Sequence, residues 1–212
     1  MDLKEKLFQS WSTVVDDKLI TELESIIEKL KIEYRSKIIF PHQSKIFRAF
    51  KEMPINECKT ILIGFDPYNN VYKNEPSACG LSFVTENGYV NPSLDVLSKS
   101  LQIKPFEFRD FAKKNGILLL NVYLTVEKGN PGSHRNIWSE FSNMLINKIS
   151  KEKRDLNWIL LGNDAKTLKS EIVFGNIYTC IHPAAYAIAK AVKYKELENI
   201  WLQLGYKENA GN

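Results

Sequence analysis

Thr60-Ile61-Leu62-Ile63 leads directly into Gly64-Phe65-Asp66-Pro67-Tyr68-Asn69. An apolar run that breaks into a Gly/Asp/Pro turn reads as a buried strand ending in a loop. It delivers a carboxylate and an aromatic ring to the strand's C-terminal end. Open α/β sheets bind ligands along that edge. Asp-Pro-Tyr alone is only a turn signal. A second apolar run, Leu118-Leu119-Leu120, ends in Asn121, and a third ends in His182-Pro183. Three chemically useful side chains, each at a strand terminus, predict one site assembled from distant parts of the chain.

The segments around these runs are helical in pattern. Leu19, Ile20, Leu23, Ile26, Ile27 and Leu30 recur at helical spacing and predict an amphipathic helix over 16–31. Ile46, Phe47, Ala49 and Phe50 predict a short helix after Phe40-Pro41-His42-Gln43. Further helices are predicted after Pro92, over 106–115, 137–151 and 164–169, and at the end around 194–204. Strands are predicted at 60–64, 117–121, 158–161 and 177–181. Strands alternating with helices, two of them apolar without alternation, imply a parallel sheet covered on both faces. The expected fold is a three-layer α/β/α domain with a central, mostly parallel four-stranded sheet.

The chain has 212 residues, 44% hydrophobic and 25% charged, a composition that suits one globular domain with a full core. The expectation is a single domain over 1–212, with 1–36 as a helical N-terminal extension. A net charge of +4 fits a nucleic-acid partner and equally fits none. Cys58, Cys79 and Cys180 are odd in number without paired spacing, and read as buried thiols in a reducing cytoplasm. Three His with no HxxxH or CxxC pairing argue against a metal centre, and no cofactor is expected. No signal-peptide core and no run of membrane-spanning length are present, so a soluble, cytoplasmic, monomeric protein is expected. Neither GxGxxG nor GxxxxGKS/T occurs, which ranks a nucleotide-binding α/β protein last.

In order, the segments resemble the main, ubiquitous family of uracil-DNA glycosylases. Gly64-Phe65-Asp66-Pro67-Tyr68-Asn69 stands where the family has GQDPYH, and Gly80-Leu81-Ser82-Phe83 where it has GLxF. Pro92-Ser93-Leu94, Leu118-Leu119-Leu120-Asn121, Leu124-Thr125-Val126, Ser133-His134 and Leu160-Leu161-Gly162 match further segments. His182-Pro183-Ala184-Ala185-Tyr186-Ala187 replaces HPSPLS. The likeness runs from Phe40 to Tyr186. Each motif is weak alone, and their collinear order is specific.

The resemblance implies an enzyme that hydrolyses the bond between deoxyribose and a flipped pyrimidine, with DNA as partner and a proteinaceous inhibitor as a further one. It gives Asp66 the role of stabilising the sugar cation and orienting water, and His182 that of a donor to the departing base's O2. Asn121 would read the Watson–Crick edge, since its amide both donates and accepts. Phe83 would stack on the base, and Tyr68 would exclude a C5 methyl. Phe65 lies at the pocket rim, where its backbone N–H could bond O2.

Departures cluster in DNA handling. Phe65 replaces a Gln and Asn69 a His, while Ala184 and Ala187 replace two phosphate-contacting serines. Tyr186 stands for the wedge Leu, and Asn163 for a Ser. Ser93 persists. Ser93, Asn163, Ala184 and Tyr186 are therefore the expected DNA-contacting positions, with Lys166, Lys169, Lys190 and Lys193 as compensating cations. Uracil is the default base. A modified pyrimidine in foreign DNA, making the protein a phage-defence factor, is one alternative. A catalytically silent glycosylase-fold module that binds DNA or a protein is another.

Overall fold

The computed structural model of the chain describes residues 3–188 and 194–207. Helices α1 (Leu3–Phe8) and α2 (Asp17–Glu33) precede a short strand β1 (Ile39–Phe40) and helix α3 (Arg48–Glu52). Strand β2 (Thr60–Gly64) is followed by the small hairpin β3 (Val71–Tyr72) and β4 (Glu75–Pro76). Helices α4 (Pro92–Leu101) and α5 (Phe108–Lys114) lead to β5 (Ile117–Asn121) and β6 (Val126–Glu127). The long helix α6 (Arg135–Glu152) is followed by β7 (Asn157–Leu161), α7 (Asn163–Thr167) and β8 (Asn176–Cys180). Helices α8 (Pro183–Ile188) and α9 (Lys195–Gln203) close the described chain.

The central sheet has the order β5-β2-β7-β8, with every neighbouring pair parallel. β2 is buried along its whole length, as an interior parallel strand requires, and its apolar run is unbroken for that reason. β5 and β8 are the edge strands, and β8 is only partly covered. The register sets Gly64 opposite Asn121 and Leu161 opposite Cys180. All four strands end on the same side of the sheet, so the residues just beyond them converge.

Helices flank this sheet. In α2, Asp16 caps the N-terminus by accepting from the Leu19 amide at 2.9 Å, and Leu19, Leu23, Ile26 and Leu30 face inward. That stripe packs against α6, and Lys148 pairs with Asp16 across the contact. Helices α4, α8 and α9 pack together in a second group. One core cluster runs from Phe8 and Trp11 through β2, β5 and β7 to Trp201.

The predicted parallel α/β sheet flanked by helices is the fold observed. Within the helical extension expected over 1–36, α1 and the 3₁₀ turn Gln9–Val14 carry Phe8 and Trp11 into the core, which their spacing does not announce. The helix expected over 106–115 starts as a 3₁₀ turn at Pro105–Glu107 before α5. Helix α8, directly after His182, was not predicted.

Candidate active site

Gly64 ends β2 beneath two side chains. A Cβ there would lie 2.8 Å from Asn121 Oδ1 and 2.8 Å from Phe83 Cζ, so only glycine lets both reach over the strand end. Phe83 holds a positive φ of 63°, a costly conformation for a residue with a side chain. The Tyr68 hydroxyl donates to the Phe83 carbonyl at 3.0 Å and fixes that backbone. Burial drives the Tyr68 phenol well above its ordinary range, so it stays a neutral donor.

Asp66 follows β2 by two residues, and its Oδ2 accepts from the Gly132 amide at 2.7 Å. Burial is the main force on this carboxyl and pushes it up to about 6, with the Asp164 anion adding to the rise. The Gly132 amide and the Arg135 cation pull it down. A carboxylate so placed is ionised at neutral pH and basic enough to work on a proton.

His182 follows β8. Gly162, at φ 91°, lets β7's exit pass against it; a Cβ on Gly162 would stand 3.0 Å from His182 Cβ. The Ala184 amide donates to His182 Nδ1 at 3.3 Å. Burial lowers the imidazole below its usual range, opposed by Asp164, so the ring is neutral at neutral pH. With Nδ1 accepting, the ring proton sits on Nε2, which is then a donor.

These groups line one cavity of about 200 Å³. Phe65, Asp66, Tyr68, Phe83, Ser93, Asn121, His182 and Ala184 all border it, joined by Pro67, Leu81 and Asn91, which the sequence did not single out. Phe83 and His182 face each other with ring centres 6.0 Å apart. A larger cleft of about 520 Å³ lies between Val84–Val90 and Pro105–Asp110. It contains none of the residues that bring carboxylate, imidazole and amide together, so chemistry selects the smaller cavity.

Two expected DNA-contacting residues lie elsewhere. Asn163 is exposed at the start of α7, outside the cavity lining. Tyr186, expected as a wedge, is only 7% exposed in the DNA-free chain. Its hydroxyl meets Cys180 Sγ at 3.1 Å and Glu196 Oε2 at 3.2 Å, and its ring packs edge-on against Tyr194. Partners on β8, on α9 and just before α9 hold it inward. Ser93 is buried near the start of α4, its amide donating to the capping Asn91. Lys166 and Lys169 lie on α7 and the turn after it. Lys190 and Lys193 fall outside the described residues.

A polar cluster at the rim was missed. Arg135 Nη2 pairs with Asp164 Oδ1 at 2.7 Å, and the Tyr123 hydroxyl donates to the same oxygen at 2.9 Å. The guanidinium lies 5.8 Å from the ring centres of both Phe65 and Tyr123. Ser133-His134 fixes the neighbouring turn: Ser133 Oγ accepts from the Glu127 amide at 2.8 Å, and buried His134 meets Thr125 Oγ1 at 2.7 Å.

Fold and cavity place the chain among α/β enzymes that work at the carboxyl ends of parallel strands. A family model of the uracil DNA glycosylase superfamily matches residues 50–205. The uracil-DNA glycosylase of Mesomycoplasma hyopneumoniae is 36% identical over 182 residues, covering 80% of each chain. That of Borreliella burgdorferi is 34% identical over 198 residues, covering 87% of each. The crystal structure of mimivirus uracil-DNA glycosylase superposes with a TM-score of 0.74 at 24% identity, over 88% of this chain and 72% of that one. One from Nitratifractor salsuginis gives 0.69 at 16% identity, over 96% and 94%; both share the fold. This chain belongs to the uracil-DNA glycosylase superfamily. Among the described residues no helix is long and apolar enough to cross a membrane.

Proposed function

We propose that this protein is a monofunctional DNA glycosylase that excises uracil, leaving an abasic site. The observation that carries the reading is the single cavity into which Asp66, Asn121 and His182 are brought by three different strands. The relatives named above are uracil-DNA glycosylases, which supports the choice of base.

The base is extruded into the cavity and stacks on Phe83. The Asn121 amide donates to O4 and accepts from N3–H. As the N-glycosidic bond breaks, its electron pair moves onto the base and charge gathers at O2. There His182 Nε2–H donates, and a preorganised donor of this kind is commonly worth about 3 kcal/mol. The Asp66 carboxylate stabilises the cationic sugar, orients a water toward C1′ and takes its proton as the new C–O bond forms.

Tyr68 supports uracil over a pyrimidine enlarged at C5. Its hydroxyl is tied to the Phe83 carbonyl, so turning the ring aside would sacrifice a buried hydrogen bond. The buried free thiols Cys58, Cys79 and Cys180 suit a reducing, cytoplasmic setting. We read 1–212 as a single working domain, with the helices before residue 36 as a buttress. A substituted mimivirus glycosylase has been solved in complex with UGI, and the same class of protein inhibitor is proposed for this site.

The test is a substrate screen. Single-stranded and duplex oligonucleotides carrying uracil, thymine, cytosine or a C5-modified cytosine are incubated with the protein and scored for alkali-labile breaks. Breaks at uracil alone, lost in Asp66→Asn and sharply reduced in His182→Ala, are expected. Cleavage at a modified base instead would reassign the substrate, and DNA binding without cleavage of any substrate would make the chain a binding module.

A further inference from the structure

Any nucleotide whose base fills the cavity leaves its backbone phosphates at the mouth. Ala184, at the cavity edge after His182, and exposed Ala187 carry no polar side chain there. A phosphate grip on this side must come from another part of the rim.

Arg135 is placed for it. Its guanidinium lies over Phe65, a cavity-lining ring, and its charge reaches Asp66, the carboxylate assigned to the sugar. It spends one amino group on Asp164, which the Tyr123 hydroxyl also holds. Among the described residues the guanidinium makes no other hydrogen bond or ion pair, and the side chain is 53% exposed. The remaining N–H groups of the planar fork are thus preoriented and open to solvent, the state of an arginine that receives an oxyanion.

We propose that Arg135, oriented by Asp164 across the faces of Phe65 and Tyr123, binds a DNA backbone phosphate flanking the excised nucleotide. The inference rests on the glycosylase reading and adds a contact on the sugar-phosphate side of that site. Asp164 has a second use. A bare cation near Asp66 would oppose the positive charge developing on the sugar, and Asp164 together with the phosphate offsets it. Asp164 is a positioning residue here, and Arg135 the binding group.

The experiment measures the affinity of the full chain for an uncleaved, uracil-free duplex over a range of salt concentrations. Steady-state cleavage of a uracil duplex is followed alongside. Arg135→Ala is expected to reduce the slope of log K against log salt by about 0.9, the signature of one lost phosphate contact. It should weaken low-salt binding by roughly tenfold, with the loss appearing in KM and not in kcat. Arg135→Lys should restore the slope and part of the affinity. Lys31→Ala removes the same charge from an exposed position on α2 and should leave the slope near wild type.

An Arg135→Ala slope equal to that of wild type or of Lys31→Ala would overturn the proposal, as would a loss confined to kcat. A thermal melt shows whether each variant is folded, and Arg135→Lys carries the test if Arg135→Ala is not. Wild type that binds DNA but cleaves no substrate would sink the glycosylase reading while the slope still reports on Arg135. Wild type that does not bind DNA would sink both.

Discussion

The Gly132 amide donates to Asp66 Oδ2 at 2.7 Å, joining the turn before α6 to the loop after β2. This bond is one side of a balance. Burial and the Asp164 anion favour the protonated acid, while the Gly132 amide and Arg135 favour the carboxylate. The outcome, about 6, keeps Asp66 charged at neutral pH without making it inert as a base.

Activity should therefore fall on the acid side as Asp66 takes up a proton. For wild type, kcat/KM on a uracil oligonucleotide is expected to drop with a midpoint near pH 6. Burial holds His182 below its ordinary value, so the ring is already neutral at neutral pH. Asp164→Asn removes an anion that raises Asp66 and should move the midpoint to lower pH. A pH profile of both proteins checks this, and an unmoved midpoint would take Asp164 out of the balance.

The same burial makes Asp66 a stability liability. Its folded value near 6 stands above the ordinary 3.8, so the native state binds its proton more tightly than the unfolded chain does. Below pH 3.8 the group is protonated in both states and costs nothing. As pH rises through 6 the cost reaches its full size, on the order of 3 kcal/mol. Asp66→Asn keeps an acceptor for the Gly132 amide and sheds the charge. It should be more stable than wild type at neutral pH, with the advantage gone in acid, while activity falls by roughly 10²–10⁴. Denaturant melts at the two pH values decide the point.

Much of this was legible because interior parallel strands advertise themselves. Thr60–Gly64 and Ile117–Asn121 are uninterrupted apolar runs bounded by residues that stop strands, and both boundaries match the structure. Once parallel strands are granted, Asp66, Asn121 and His182 must meet at one edge. What stayed hidden depends on partners far off in sequence. Phe8 ends the six-residue helix α1 and Trp11 lies in the 3₁₀ turn after it, both too short to show a helical period, and Trp11 is fixed by donating to the Met53 carbonyl at 2.6 Å. Tyr186 turns inward because Glu196 waits on α9. Nothing in the spacing says that Arg135 meets Asp164.

Gly64→Ala tests the floor of the cavity. The new Cβ would stand 2.8 Å from Asn121 Oδ1 and from Phe83 Cζ, so both side chains must retreat. Displacing positioning groups by about 1 Å commonly costs on the order of 10² in rate. The variant should lose roughly that much activity on uracil and discriminate less sharply against cytosine. Steady-state kinetics on both bases provide the check, and a fully active, fully selective variant would mean that Asn121 does not read the base.

Asn121→Asp asks the same question through chemistry. A carboxylate accepts but does not donate, so it loses the bond to O4 of uracil and gains one from the exocyclic amine of cytosine. Preference should shift toward cytosine, measured as the ratio of kcat/KM on the two bases. An unchanged ratio would count heavily against the assigned reader.

Tyr186 separates a wedge from a structural anchor. A wedge acts by filling the gap left in a duplex, so its loss should harm duplex cleavage and spare single strands. The observed side chain is buried, packs on Tyr194 and bonds Cys180 and Glu196. Tyr186→Ala would empty that space and should cost about 3 kcal/mol of stability. Tyr186→Phe keeps the ring and strips only the hydroxyl, a loss of about 1 kcal/mol. Both variants, assayed well below their melting temperatures, should cleave single-stranded and duplex uracil DNA in the same ratio as wild type. A loss specific to duplex DNA would show that Tyr186 leaves its pocket when DNA binds, breaking its bonds to Glu196 and Cys180 in order to enter the base stack.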